Sequence, residues 1–171
     1  MTPIFETERL YARPYTLEDA PAAYEMYRDP EVAKFIRDVP EESVETQRAT
    51  LERVLARFAE MGPEFGFWAL VEKETGTIVG SIMLKPLPGH PEVEVGWHLA
   101  RWAWGKGYAT EAARACFEHG FKVLSVPRLV AVVNPLNTRS IAVTTRLGLR
   151  PEGMVNAYGF DLNLYVMDRP E

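Results

Sequence analysis

The chain has 171 residues, 47% of them hydrophobic and 25% charged, with a formal net charge of -5 at pH 7. This composition predicts one globular domain, assigned to residues 1–171, and the negative charge argues against a nucleic-acid partner. No signal peptide or membrane span follows Met1, so we expect a cytoplasmic protein with no membrane partner. A lone cysteine, Cys116, excludes an internal disulfide, and three scattered histidines predict no metal site.

The first half of the chain predicts one strand, two helices and a hairpin. "RLYARPY" alternates as a strand, and the helix after it takes Thr16 as its N-cap and ends near Pro30. Apolar residues recur at helical spacing between Ser43 and Met61, which predicts the second helix. "FWALVEK" and "IVGSIMLKP", separated by "ETGT", predict the hairpin.

The segment "EVEVGWHL" predicts a third strand of this meander. Its alternation places Val93, Val95, Trp97 and Leu99 on one face. The opposite face carries Glu92, Glu94, Gly96 and His98. A polar face has two explanations: it is solvated if the strand lies at an edge of the sheet, and it lines a cleft if the strand is central.

The second half predicts two helices and three strands. An apolar stripe after "GKG" indicates an amphipathic helix, and Cys116 lies on this stripe as a core residue. "RLVAVVN" is apolar enough to be buried on both faces, as in a parallel or mixed sheet crossed by the preceding helix. Asn137 caps a short helix that ends at Gly148, and "PEGMVNAY" and "DLNLYVMD" supply two closing strands.

The stretch "WAWGKGYATEA" places Gly105 and Gly107 directly before a helix. Glycines there let an anion approach the unpaired N–H groups of the helix N-terminus, although a plain tight turn explains them as well. The Walker pattern is missing, and Thr110 stands where a dinucleotide fingerprint needs its third small residue. Neither of those nucleotide-binding folds is favoured.

The order of "WGKGYATEA", a helix, "VAVVNPLNTRS" and "LGLRPEG" resembles the GNAT acyl-CoA N-acyltransferases. Gly107 and Ala109 match the last two positions of the superfamily motif Q/R-x-x-G-x-G/A, whereas Trp104 replaces its Gln or Arg. That departure, with "ETERL", "DPEVAKF" and "NPLNTRS", resembles the Rim-type branch of ribosomal-protein N-terminal alanine acetyltransferases. The resemblance implies an α/β (α+β) fold: a mixed, mostly antiparallel sheet of about seven strands, splayed in a V between "EVEVGWHL" and "RLVAVVN", with about four helices.

The resemblance further implies acetyl-CoA as a cosubstrate. Main-chain N–H groups between Gly105 and Thr110 would hold its pyrophosphate. Lys106 either adds a charge to the phosphates or is simply solvated. The full set of expected cofactor contacts is Leu99, Trp104, Gly105, Lys106, Gly107, Tyr108, Ala109, Thr110, Asn134 and Asn137.

Three residues are candidates for the chemistry. Glu94 is the first choice for the general base and His98 shares its strand face, although each could be only a solvated or hydrogen-bonded polar group. By the resemblance, backbone N–H groups near His98 and Leu99 would hold the thioester carbonyl. Ser140, in N-x-x-S, would protonate the leaving thiolate, unless its hydroxyl only satisfies backbone donors at the helix start. Tyr158 and Asp161 would wall the acceptor pocket.

These expectations combine into an enzyme that transfers acetyl from acetyl-CoA to a primary amine by direct attack in a ternary complex. A ribosomal or other protein N-terminus is the expected acceptor. Two alternatives stay open: acetylation of a small amine such as a polyamine, amino acid or aminoglycoside, and a non-catalytic acyl-CoA-binding module. The acceptor's identity and a homodimeric state are not decided by the sequence.

Overall fold

The structure is a computed structural model that describes residues 2–37 and 39–171. Its strands are β1 (Phe5–Glu6), β2 (Leu10–Pro14), β3 (Gly66–Glu72), β4 (Ile78–Pro86), β5 (Val93–Leu99), β6 (Arg128–Val133), β7 (Arg150–Ala157) and β8 (Phe160–Asp168). Its helices are α1 (Ala20–Tyr27), α2 (Pro30–Ala33), α3 (Val44–Met61), α4 (Tyr108–Val123) and α5 (Thr138–Arg146). The described part of the chain therefore has one strand and one helix more than predicted.

The extra elements are the two-residue strand β1 and the short helix α2. Pro30 opens α2 instead of only ending the helix before it, because a proline lacks the N–H that the first helical position leaves unpaired anyway. The Asp29 side chain caps α2 by accepting a hydrogen bond from the Glu31 N–H at 2.9 Å. Thr16 precedes a single 3₁₀ turn, Leu17–Asp19, and α1 begins only after that turn.

All eight strands form one sheet in the order β1-β2-β3-β4-β5-β6-β8-β7. Every neighbouring pair is antiparallel except β5 and β6, which are parallel and are joined at a single position, Glu94 opposite Val130. Beyond that position the two strands diverge, as the predicted V requires. Because β5 lies between β4 and β6, its polar face belongs to the centre of the sheet and the edge-strand explanation is wrong.

The main core lies where α1, α3 and α4 cover the sheet. On α4 the buried residues are Tyr108, Ala112, Ala113, Cys116, Phe117, Gly120 and Phe121. The Cys116 thiol is fully buried, and burial raises its pKa, so the residue packs as a small apolar group. A smaller cluster lies under β6, β7 and β8 and includes Val130, Leu164 and Val166.

The N-termini of α4 and α5 place several predicted site residues where β5 and β6 diverge. Ser43 caps α3 by accepting a hydrogen bond from the Thr46 N–H at 3.1 Å, and α3 begins and ends as predicted. Gly107 precedes α4 and Asn137 precedes α5. Within the residues that the structure describes, no helix has the length and apolar character needed to cross a membrane.

Candidate active site

An open cleft with a volume of about 2260 Å³ begins where β5 and β6 separate. Every catalytic and cofactor-contact residue predicted from the sequence lines this cleft except Lys106, and of the two residues expected at the acceptor pocket Tyr158 lines it whereas Asp161 does not. Residues 105 and 107–110 line its cofactor end, β5 forms its middle, and Lys85 and Tyr158 lie at what we call the acceptor end. The divergence of two strands thus brings together residues from distant parts of the chain.

The cofactor end is built from main chain and glycine. Gly107 is the N-cap of α4 with φ +82°, and Gly105 has φ +77°, a left-handed conformation that favours glycine. A Cβ on Gly105 would meet nothing within 4 Å. The first N–H groups of α4 have no partner within the helix, and the helix dipole favours an anion there by about 0.3 to 1 kcal/mol.

The Thr110 side chain adds an observation that points to a ligand. Its Oγ1 atom is buried and has no hydrogen-bond partner in the described part of the chain. Leaving a buried hydroxyl unpaired costs free energy, about 1 to 3 kcal/mol. A phosphate oxygen at the α4 N-terminus would supply the missing partner, so the residues present fit a pyrophosphate group.

Arg9, from the "ETERL" motif, holds this loop in place. Its Nη1 donates a hydrogen bond to the Lys106 carbonyl at 2.8 Å, and its Nη2 lies 2.6 Å from a Glu111 carboxylate oxygen. Its guanidinium also lies 4.5 Å from the centre of the Tyr108 ring. Sequence reasoning quoted the motif without assigning Arg9 a role, because its partners lie about a hundred residues away.

The two side chains on either side of Gly105 differ in their contacts. Trp104 Nε1 donates to the Leu99 carbonyl at 3.1 Å and links the end of β5 to the loop, and the Arg139 guanidinium lies 4.0 Å from its ring centre. The Lys106 side chain is exposed, with Nζ 5.8 Å and 5.9 Å from the ring centres of Trp102 and Tyr108. This position supports the solvated explanation for Lys106.

Glu94 lies in the middle of the cleft and only 5% of it is exposed. The Tyr158 hydroxyl donates a hydrogen bond to its Oε1, and its Oε2 is buried with no partner among the described residues. Burial raises the pKa of Glu94, while the Tyr158 hydrogen bond and the positive charge of Lys85 act in the opposite direction. A buried carboxylate with one free oxygen and a raised pKa is suited to accept a proton near neutral pH.

His98 is held by a buried chain of hydroxyl groups. The Tyr27 hydroxyl lies 2.8 Å from His98 Nδ1 and 2.8 Å from Ser81 Oγ, which in turn lies 2.7 Å from the Tyr15 hydroxyl. Burial, with added repulsion from Arg37 and Lys85, lowers the pKa of His98 to about 3. The imidazole is therefore neutral and weakly basic at pH 7, and the geometry favours Glu94 over His98 as the base.

The end of β5 presents a backbone donor to the cleft. The Ala100 N–H donates to the Val79 carbonyl at 2.9 Å, toward β4. Because successive N–H groups of a strand point in opposite directions, the His98 N–H also faces β4 and the Leu99 N–H faces the opening beside β6. Of the two donors expected near the thioester carbonyl, only Leu99 is free to serve.

The start of α5 carries the remaining predicted residues. The Asn137 side chain accepts a hydrogen bond from the Ser140 N–H at 3.2 Å, and the Asn134 side chain accepts from the Leu136 N–H at 2.9 Å. The Ser140 hydroxyl forms no hydrogen bond with any residue that the structure describes, so it does not satisfy backbone donors there. It lines the cleft and is available to a ligand.

Tyr158 and Asp161, both expected at the acceptor pocket, have different positions. Tyr158 lies at the tip of the β7–β8 hairpin with φ +56° and reaches Glu94. Asp161 is exposed and accepts a hydrogen bond from Asn156 Nδ2 at 3.1 Å, which holds the hairpin together. His119, on α4, packs against the rings of Phe5 and Trp68.

Sequence reasoning missed Lys85, which opposes Glu94 in the β4–β5 register. Only 9% of Lys85 is exposed, and its Nζ lies 4.7 Å from the Tyr158 ring centre. The lysine inside the apolar strand segment "IVGSIMLKP" was the available signal, since a buried lysine is rare.

No group of three or more His, Cys, Asp or Glu side chains in the described chain could hold a metal ion.

Comparison with known proteins agrees with this geometry. Residues 9–150 match the family described as "Acetyltransferase (GNAT) domain". An uncharacterized N-acetyltransferase, p20, from Bacillus licheniformis is 31% identical over 153 residues, which cover 89% of this chain and 85% of that protein. The chain therefore belongs to the GNAT acetyltransferase family, and its relatives are named as N-acetyltransferases.

Solved structures give the same fold. An acetyltransferase from Agrobacterium tumefaciens superposes with a TM-score of 0.80 at 30% identity, covering 99% of this chain and 95% of that one. RimL, a ribosomal-protein alpha-N acetyltransferase solved with coenzyme A, superposes with a TM-score of 0.79 at 18% identity, covering 98% of each chain. The second likeness concerns the fold alone.

Proposed function

We propose that this chain transfers the acetyl group of acetyl-CoA to the α-amine at the N-terminus of a protein or peptide, by direct attack in a ternary complex. The observation that carries the proposal is a single cleft that connects the glycine-rich start of α4 to the buried carboxylate of Glu94. One end can hold a phosphate-bearing cosubstrate, and the middle holds a group able to take a proton. An enzyme that joins two substrates needs both.

Acetyl-CoA would supply an activated acetyl thioester. Its pyrophosphate fits the N–H groups at the start of α4 and the unpaired Thr110 hydroxyl. The side-chain oxygens of Asn134 and Asn137 already accept backbone hydrogen bonds, so their amide NH₂ groups would be the donors to the cofactor. Leu99, Trp104, Tyr108 and Ala109 line the same part of the cleft.

The residues divide the proton transfers between them. As the amine nitrogen bonds to the acetyl carbon, the carbon–sulfur bond breaks. Glu94 accepts the proton that the amine loses, directly or through water, and later releases it to solvent. The Ser140 hydroxyl passes a proton to the departing sulfur and takes one back from water, so both residues return to their starting state. The Leu99 N–H stabilises the negative charge that develops on the carbonyl oxygen. His98 stays neutral and walls the site.

An α-amine suits this site better than a lysine side chain. With a pKa near 7.8 an α-amine is neutral in more than about one molecule in ten at pH 7, against about one in 10³ for a lysine amine near 10.4. One buried carboxylate is then sufficient as the base that removes the proton from the amine. The fold likeness to RimL, which is named as an alpha-N acetyltransferase of a ribosomal protein, supports the same acceptor class.

Release of coenzyme A thiol, measured with acetyl-CoA and a panel of peptides alongside small amines, tests the proposal. We expect turnover with free peptide N-termini, none with N-terminally blocked peptides, and far slower turnover with polyamines, amino acids or aminoglycosides. Turnover of small amines alone would show that the acceptor is a small molecule and not a peptide. Binding of acetyl-CoA without turnover of any amine would favour a non-catalytic module.

We also propose a cytoplasmic location, which would suit an enzyme that acts on newly made protein N-termini. The oligomeric state is open, and light scattering of the purified chain distinguishes a monomer from a homodimer.

A further inference from the structure

The acceptor end of the cleft carries more positive than negative charge. Lys85 from β4, Arg57 from α3 and Glu94 from β5 all line it, and the Tyr158 hydroxyl is hydrogen-bonded to Glu94. Arg37 lines the cleft too, but an ion pair with Glu41 offsets its charge. The other acidic residues that line the cleft lie on β1, on the turn after it, on α2 and on α4: Glu6, Glu8, Glu31, Glu111 and Glu118.

The Lys85 ammonium lies opposite Glu94 in the β4–β5 register but is not in salt-bridge contact with it. It forms neither a salt bridge nor a hydrogen bond with any residue that the structure describes, and its nearest aromatic ring centres, those of Tyr158 and Phe58, lie at 4.7 Å and 6.0 Å. Burial lowers the pKa of Lys85, and the charge of Glu94 only partly offsets this. The Lys85 side chain is thus mostly buried, while the residue lines the open cleft and its ammonium keeps its hydrogen-bond donors free, so an anion that enters the cleft would find a charged donor there.

Arg57 extends the same positive surface toward solvent. It is exposed, it lines the cleft, and it forms no salt bridge within the described chain. Burial is the main cause of the lowered pKa of Lys85, and the positive charge of Arg57 lowers it further. Because both cations line the same cleft, an anion that enters it would gain charge-assisted hydrogen bonds from these side chains.

The geometry points to an acceptor that carries an acidic side chain close to its reacting amine. This inference rests on the proposed function and narrows it: the preferred peptide has Asp or Glu at its second or third position. With the α-amine at Glu94, a carboxylate one or two residues along the peptide meets Lys85, which faces Glu94 across neighbouring strands, and then Arg57. Lys85 and Arg57 would thus determine which acceptor peptide is preferred, and Glu94 would accept the proton of its amine.

Matched peptides that differ only by Glu against Gln at positions two and three test the inference. Wild-type kcat/KM should be about 10- to 100-fold higher for the Glu peptides, as expected for a charge-assisted contact with a buried group. Lys85→Met should remove most of this preference. Arg57→Gln, at an exposed position where folding is not at risk, should reduce it several-fold.

A variant on the same helix supplies the control. Arg53 is exposed and lies outside the cleft, so Arg53→Gln should leave the preference unchanged. If Lys85 served only to adjust Glu94, Lys85→Met would slow Glu and Gln peptides equally, and that result would overturn the inference. The same holds if the wild-type enzyme does not distinguish the two peptides.

Peptide binding, measured by calorimetry in the presence of coenzyme A, separates this inference from the proposed function. Preferential binding of the Glu peptides without turnover would keep the acidic preference and defeat the peptide-acetylation proposal. Turnover of peptides without a preference for Glu would support the peptide-acetylation proposal and overturn the acidic preference. Binding of neither peptide would overturn the inference, because no acidic acceptor would then be recognised.

Discussion

In the function we propose, the two ends of the cleft recognise their ligands by different physical means. At the cofactor end, the donors are main-chain N–H groups at the start of α4, and Gly105 and Gly107 keep that space clear of side chains. At the acceptor end, the groups are side chains, the buried Lys85 and Glu94 and the exposed Tyr158, which come from three strands or turns of the chain. One end is a local backbone structure and the other is a tertiary assembly.

This difference separates binding from chemistry. A helix N-terminus carries a fixed partial charge that does not titrate, so the cofactor end should behave alike across a wide pH range. The acceptor end contains a carboxyl whose pKa burial raises and an ammonium whose pKa burial lowers, so it should respond strongly to pH. Substitutions at the two ends should therefore affect different kinetic constants.

The largest expected effect is at Gly107. Gly107→Val should weaken acetyl-CoA recognition at least about 100-fold, because a branched residue resists the left-handed conformation and its side chain takes the place of the anion. The apparent KM for acetyl-CoA measures this loss. Gly76→Val is the matched control, since Gly76 also has positive φ, at +71°, but lies in the β3–β4 turn away from the cleft. Equal losses in both variants would mean that backbone strain alone explains the result.

Glu94→Gln should lower kcat by about 10²- to 10⁴-fold while the affinity for acetyl-CoA stays nearly unchanged. Only ionised Glu94 can accept a proton, and its raised pKa moves the acid limb of the wild-type pH–rate profile above the position of an ordinary glutamate. The loss of activity in the variant should be greatest at pH values between the acid limb of the wild-type profile and the pKa of the amine. Rates measured from pH 5 to 9 provide the check.

Glu92 provides the control for this substitution. Glu92 lies two residues before Glu94, so strand alternation predicts that both side chains share one face. Glu92 lies outside the cleft, however, and accepts a hydrogen bond from Arg128 Nε at 3.0 Å. Glu92→Gln should leave the pH–rate profile unchanged. An unaltered profile in Glu94→Gln would instead assign proton removal to bulk water.

Ser140→Ala should reduce kcat by about ten- to a thousandfold if its hydroxyl protonates the thiolate. Thermal stability should stay the same, because the Asn137 side chain bonds the Ser140 backbone N–H and not its hydroxyl. Asn137→Ala should show a loss of stability of about 0.5 to 2 kcal/mol through the missing helix cap. A Ser140→Ala protein that is destabilised but fully active would show that the hydroxyl has only a structural role.

Lys106→Ala should have the smallest effect, a several-fold increase in the Kd for acetyl-CoA with a weaker salt dependence. The Lys106 side chain is exposed and lies outside the cleft, and its carbonyl, which the substitution keeps, receives the Arg9 hydrogen bond. Titrations at low and high salt check this, with Lys122→Ala at the far end of α4 as a control. A loss greater than that of Gly107→Val would make the cofactor end a side-chain site.

What the sequence could predict follows the same division between the two ends. The glycines before α4, the Asn137 cap and the polar face of β5 were readable because they depend on neighbours in sequence. The Lys85–Glu94–Tyr158 cluster and the Tyr15–Ser81–Tyr27–His98 chain were not, because each depends on the register of separate strands. Composition could not show that His98 would be buried and neutral. Strand alternation placed Glu94 on the polar face, and only the family resemblance placed that face in the cleft.

The most direct test of this account is a calorimetric titration of acetyl-CoA into two folded variants, Gly107→Val and Glu94→Gln, beside the wild-type protein. We expect Gly107→Val to lose measurable binding, whereas Glu94→Gln should bind acetyl-CoA with wild-type affinity although it barely turns over. The reverse pattern, or equal loss of binding in both, would contradict the separation of a backbone cofactor site from a side-chain catalytic site.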